Sequence, residues 1–367
     1  MTETINYAKK QLQKLYSNNF LANISIAGAA WVALLVSRGF SLVEVGIAET
    51  IFHVVSIIAE IPSGMFADLW GRKKSLVVSS VCSILASFAM GFTDTFTGVI
   101  ISIAFSALSY NFGSGTDSAL AFDTLKEADR SDDYDRYISI QTIIYRISSS
   151  LASLGAGLAL ILGNRNAQIL GMAISAVRLM LCLTLRENKV VLEKKTISYK
   201  ERLSALVKES WGFLKGNKKA SGLIFGNSLV GAFDVLLLFF LQARFQDAGA
   251  GDLLLGLLLF ITYSGGILGA VAANGCSKKT RFTFLFTGCL ILVVSGSALA
   301  FTNILWIMTL GGFISAFGDD LLQIRADVTL NNMIPESSRA TLISVNSLCF
   351  SLVMIVLSPL AGMHLSL

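Results

Sequence analysis

The chain has 367 residues, of which 54% are hydrophobic and only 14% charged, with a mean hydropathy of +0.68. A soluble globular domain carries about 25% charge, so the composition excludes one and describes a membrane protein. Outer-membrane barrels alternate apolar and polar residues over strands of about ten. The long unbroken apolar runs seen here exclude that architecture and predict an all-α membrane protein.

The N-terminus opens with polar and basic residues that form a short amphipathic segment, and the apolar run after them has no small-residue cleavage site. It therefore reads as a permanent span. A span needs about 20 apolar residues. Runs of that kind fall near 17–37, 42–64, 75–93, 96–122, 138–163, 167–185, 221–242, 253–274, 282–301, 303–330 and 340–362, which makes eleven. The five cysteines sit singly, without CxxC or metal-ligand spacing, and read as small buried thiols rather than a metal site.

With the N-terminus inside, 23 of the 29 Lys and Arg residues fall in cytoplasmic segments, three in external loops and three within spans. That asymmetry supports a cytoplasmic N-terminus in a cell (plasma or inner) membrane. The segment between the sixth and seventh spans contains ISYKERLSALVKESWGFLK. There Leu203, Leu206, Val207, Trp211 and Leu214 form one apolar stripe, as in a helix lying among lipid headgroups.

Shifting the sequence by 205 residues superposes polar landmarks without a gap: Gly64 on Gly269, Lys73-Lys74 on Lys278-Lys279, Phe112-Gly113 on Phe317-Gly318. The expected organisation is a six-helix bundle over 1–186, a cytoplasmic linker over 187–220 and a second bundle over 221–367. The second bundle has five helices within the sequence, because the mate of the sixth span would lie near 372–390, and truncation is the expected reason. Two homologous helical halves are the architecture of a secondary transporter.

The stretch GMFADLWGRKK, starting at Gly64, resembles the signature of the major facilitator superfamily, the loop between spans two and three that reads G-x-x-x-D-R-x-G-R-K/R. Gly64, Asp68, Gly71, Arg72 and Lys73 match it, and Leu69 replaces the usual arginine. The resemblance implies the major facilitator fold and a cytoplasmic gate. In that gate Gly64 packs closely against a helix of the other half, Asp68 pairs with a cation or helix N-terminus, and the basic cluster rests on the lipid surface. The drug-efflux branch looks closest, although Ser109 stands where its fourth-span arginine belongs and the fifth span has no Gly-Pro motif.

Ionisable groups at membrane depth are costly and by default functional. Glu49 and His53 are one turn apart and suggest a proton-handling pair. Asp117 in the fourth span is expected to pair with Arg146 in the fifth; a static ion pair between the two helices is the plain alternative. Asp234 in the seventh span and Asp319, Asp320 and Arg325 in the tenth have no charged mates in the repeat, which suggests substrate or ion chemistry. Acids outnumber bases in this interior, and an acidic cavity favours cations.

These features predict a proton-coupled exporter of hydrophobic or cationic small molecules. A nutrient-uptake permease and a non-transporting truncated fragment are the alternatives. No enzyme chemistry is expected, and no cofactor beyond a proton gradient. The expected partners are a small-molecule substrate and the lipid bilayer, with no nucleic acid, and the chain is expected to be a monomer.

Overall fold

The computed structural model describes residues 2–187, 199–275, 282–333 and 339–365. Its elements, in chain order, are α1 (Thr2–Asn23), α2 (Ile26–Ala29), α3 (Trp31–Ser37), α4 (Leu42–Trp70), α5 (Arg72–Gly91), α6 (Phe96–Gly113) and α7 (Thr116–Glu127). A short 3₁₀ turn, Ser131–Asp133, leads into α8 (Tyr134–Leu154), α9 (Ala156–Leu183), α10 (Tyr199–Gly216), α11 (Lys218–Asp247), α12 (Asp252–Gly275), α13 (Phe282–Ala300), α14 (Leu305–Met333) and α15 (Arg339–Leu365). Among the described residues there is no strand, and nine helices are long and apolar enough to cross a membrane.

Three expected spans differ from continuous helices. The first, 17–37, is divided into the end of α1, α2 and α3. Asn23 turns its side-chain amide back to the Asn19 carbonyl at 2.8 Å, and Ser25 accepts the Gly28 N–H at 3.0 Å, so short polar side chains compete with the backbone and restart the helix. The fourth span breaks between α6 and α7 at Gly115, whose φ of 70° suits glycine far better than any side chain. The fifth runs through α8 into α9, and Gly163, at φ 75°, separates it from the sixth inside what is otherwise one long helix.

Contacts divide the chain into two compact units, and the division is not simply one of chain order. The first is Met1–Ala29, Val54–Ala152 and Leu162–Tyr199; the second is Ala30–His53, Ser153–Ile161 and Lys200–Leu367. In the first, Leu15, Leu76, Leu120, Leu125, Tyr137 and Cys182 meet in one buried cluster drawn from α1, α5, α7, α8 and α9. In the second, Val230, Ala273, Leu285, Val293 and Leu322 join α11 to α14.

The segments 30–53 and 153–161 belong to the second unit because glycines let backbones touch. A side chain on Gly46 would meet the Ser358 carbonyl, one on Gly362 the Leu42 carbonyl, one on Gly157 the Asp252 carbonyl and one on Gly256 the Leu154 carbonyl. Such small-residue contacts are how helices associate where no hydrophobic force acts between them. The start of α3 is buried there as well, and Gln242 accepts the Ala33 N–H at 3.3 Å, satisfying a donor that a helix start leaves open.

The linker helix α10 attaches to the second unit through a residue outside the expected stripe. Phe213 is buried with Ala220, Ile224, Leu330 and Val345, and Leu214 packs beside them, whereas Trp211 is 69% exposed. Burying a phenylalanine contributes about 1.5–3 kcal/mol. The side chains of Leu203, Leu206 and Val207, and the basic residues Lys278 and Lys279 of the second motif copy, lie outside the described residues.

Candidate functional site

The signature stretch is mostly helix rather than loop. The α4 helix continues through GMFADLW to Trp70, and α5 starts at Arg72, so the connection is Gly71 alone. Its φ is 108° and a side chain on it would strike the Glu187 carboxylate, two reasons why only glycine fits. Arg72 donates to the Asp123 carboxylate and to the Ala119 carbonyl, tying α5 to the end of α7.

The start of α5 is held by a residue that motif reading does not reach. Glu187, just beyond α9, accepts the Arg72 N–H at 2.9 Å and the Lys73 N–H at 2.8 Å. A carboxylate there satisfies orphan N–H groups and meets the positive end of the helix dipole. Asp68 is half-buried in the last turn of α4. Gly64 has open space around it, with nothing within 4 Å of where a side chain would start.

Deeper in the first unit, Asp117 lies just after the break at Gly115. Its carboxylate accepts the Ser118 N–H at 2.8 Å and the Gln141 amide at 2.6 Å. The charge of Arg178 of α9 bears on it, and Arg146 lies over the Tyr145 ring at 5.9 Å. Arg178 is 6% exposed and donates to Asn18 and to Ser79, each at 3.0 Å, so one guanidinium joins α1, α5 and α9. Sequence reasoning counted Arg178 among the in-span bases and left it off the site; the rule that intramembrane charges are functional by default would have kept it.

In the second unit, Asp234 is 3% exposed and accepts the Ser315 hydroxyl, joining α11 to α14. Asp319 lies against Gly231, with its Oδ1 3.4 Å from where a side chain would begin, and Asp320 fills the space left by Gly266 of α12. The charges of Asp234, Asp319 and Asp320 act on one another, so these three acids form one cluster. Arg325, five residues after Asp320, is half-buried, and its Nε has no hydrogen-bond partner among the described residues. Among the described residues no group of His, Cys, Asp and Glu is arranged to hold a metal ion.

Glu49 and His53 meet as their spacing predicts. The His53 Nε2 is 3.3 Å from the Glu49 Oε1, and its Nδ1 is 3.2 Å from the Ser351 Oγ of α15. Ser351 was not legible as a partner, because helix periodicity says nothing about which distant helix a face meets.

Described residues that form helices and no strand, nine of those helices being long and apolar enough to cross a membrane, define a multi-pass membrane protein. It belongs to the Major Facilitator Superfamily, whose sequence profile matches residues 16–364. Over 93 residues it is 30% identical to the Uncharacterized MFS-type transporter YxaM of Bacillus subtilis (strain 168). That match takes in 25% of this chain and 23% of the relative, so the chain aligns with about a quarter of that relative's length. The nucleoside transporter NupG has a TM-score of 0.75 at 16% identity, over 100% of this chain and 91% of that one. The D-xylose-proton symporter has a TM-score of 0.71 at 14% identity, covering 97% and 90%. A bacterial homolog to the human lysosomal transporter Spinster has 0.72 at 19% identity, covering 98% and 82%. At these identities the likeness is one of fold.

Proposed function

We propose that this chain is a proton-coupled exporter of hydrophobic or cationic small molecules, working by alternating access in the cell membrane with its N-terminus in the cytoplasm. The observation that carries the reading is the cluster of Asp234, Asp319 and Asp320. Three acids gathered on α11 and α14 favour a proton or an organic cation over an anion. Asp117 with Gln141 and Arg178 is the coupling candidate in the first unit, and Asp68, Gly71, Arg72 and Lys73 form the gating motif, with Glu187 as its anchor.

The test is uptake of a panel of lipophilic cations into inverted vesicles, with and without an imposed proton gradient. The expected result is gradient-dependent accumulation that Asp234→Asn abolishes. Cation movement that ignores the gradient, or an unchanged Asp234→Asn variant, overturns the reading. The second reading, proton-coupled uptake of a nutrient, is favoured by neighbours in fold that carry nucleosides and D-xylose by name. Gradient-driven nucleoside or sugar entry into right-side-out vesicles, with no cation export, would select it.

A further inference from the structure

Within the second unit, α4 and α15 touch along a regular seam. Leu42 meets Gly362, Gly46 meets Ser358 and Pro359, the Thr50 Oγ1 donates to the Ile355 carbonyl at 3.4 Å, and His53 reaches Ser351. The contacts advance by three or four residues on both helices, so one face of each is used throughout. The first three rungs are uncharged: two close by backbone approach at a glycine and the third by the Thr50 hydroxyl. The fourth carries an acid and an imidazole.

His53 is 6% exposed there. Glu49 lies on one ring nitrogen and Ser351 on the other, and the Phe52 and Phe350 rings stand edge-on at 5.5 and 5.7 Å. Glu49 is the charged group that faces the imidazole from its own helix. The α15 helix brings a hydroxyl and an aromatic ring, and has no Asp, Glu, Lys or Arg between Arg339 and His364.

We propose that Glu49, His53 and Ser351 form a proton-binding site that locks the seam between α4 and α15. The proposal deepens the proton-coupled reading and rests on it. A neutral imidazole has one donor and one acceptor nitrogen. With Nε2–H donating to Glu49 and the Ser351 hydroxyl donating to Nδ1, the site carries the uncompensated charge of the carboxylate. When Nδ1 takes a proton from water, the ring donates from both nitrogens. Ser351 then becomes an acceptor and turns its own hydrogen to a carbonyl one turn back.

The acid and the imidazolium now sum to zero. A buried net charge is costly and a buried neutral pair less so. Proton uptake therefore favours the closed seam, and release of the same proton to water accompanies its parting.

The experiment places nitroxide labels at Ser41→Cys and Met363→Cys, beside the outermost rung, in a chain whose five own cysteines are replaced by alanine. The label separation is read in liposomes by pulsed electron resonance across the range in which histidine changes charge. The parent is expected to shift toward the short separation on acidification, and His53→Gln to hold one distribution at every pH. In Glu49→Gln the neutral ring leaves the site uncharged and the protonated ring leaves it positive, so the response is expected to reverse sign. A parent that ignores pH, a His53→Gln that follows the parent, or a Glu49→Gln that keeps the parent's sign overturns the proposal. Transport in the same liposomes separates the two readings. If the seam responds through His53 but no gradient-driven transport occurs, the functional reading fails and the site stands. Gradient-driven transport with a pH-blind seam removes the site alone.

Discussion

The fourth and tenth spans are mates in the repeat, and they differ most at their centres. Ser114 and Gly115 break the fourth into α6 and α7, while Asp319 and Asp320, at the same repeat positions, lie in the unbroken α14. The surroundings differ in step. Asp319 lies against Gly231 and Asp320 against Gly266, whereas the mates of those glycines in the first half are Ile26 and Ile61. A carboxylate needs room, and two glycines in facing helices supply it. Gly269 packs on the Phe317 backbone, while its mate Gly64 stands in open space. The repeat thus sets the order of the spans, and the glycines set which of them close tightly enough to hold acids between them.

The acids of the two halves are also balanced differently, and that contrast gives the largest expected effect. Asp117 lies within reach of the charge of Arg178, whereas Asp234 is hydrogen-bonded to Ser315 and lies near Asp319 and Asp320, acids like itself. Arg178→Met removes the guanidinium that donates to the buried Asn18 and Ser79 side chains and is expected to cost about 3–5 kcal/mol, two hydrogen bonds from a charged group at about 1.5–3 kcal/mol each. Thermal unfolding in detergent checks it, and Arg146→Met is expected to cost much less.

Next in size is Gly266→Ile, which installs the residue of the first half. It crowds Asp320 against α12, with an expected loss of about 1–3 kcal/mol for overpacking and a loss of gradient-driven transport. Gly64→Ala, by contrast, should stay within about 0.5 kcal/mol of the parent, as surface substitutions do. Melting temperatures of the two variants side by side decide whether the halves differ as described.

Gly115→Ala tests the break in the fourth span. Nothing lies within 4 Å of the position, so only the left-handed backbone opposes the change, at about 1 kcal/mol. A comparably small effect is expected from Glu187→Gln, which keeps a hydrogen-bonding side chain at the start of α5 but removes its charge. The loss of the dipole interaction is about 0.3–1 kcal/mol, and it should shrink in high salt.

Much of the scaffold was legible before any coordinates. Spans appear as apolar runs because a bilayer core admits little else, and the 205-residue offset appears because polar landmarks in loops rarely coincide by chance. Glu49 and His53 pair because residues one turn apart must share a face. The breaks at Ile24-Ser25 and Gly115 were not read, since Asn, Ser and Gly are common within membrane helices and only a neighbour decides whether the helix continues. Glu187 was equally hidden, because capping a helix from more than a hundred residues away leaves no local pattern.

The sequence by itself determined the membrane class, the spans, the repeat and the superfamily signature, all of which are periodic or compositional. Tertiary structure alone decided that Asp117 meets Gln141, that Arg178 joins Asn18 and Ser79, that Glu187 caps the start of α5, and that His53 meets Ser351. Periodicity states which residues share a face. Which faces meet depends on where glycines let helices touch, and that is a property of pairs of helices far apart in the chain.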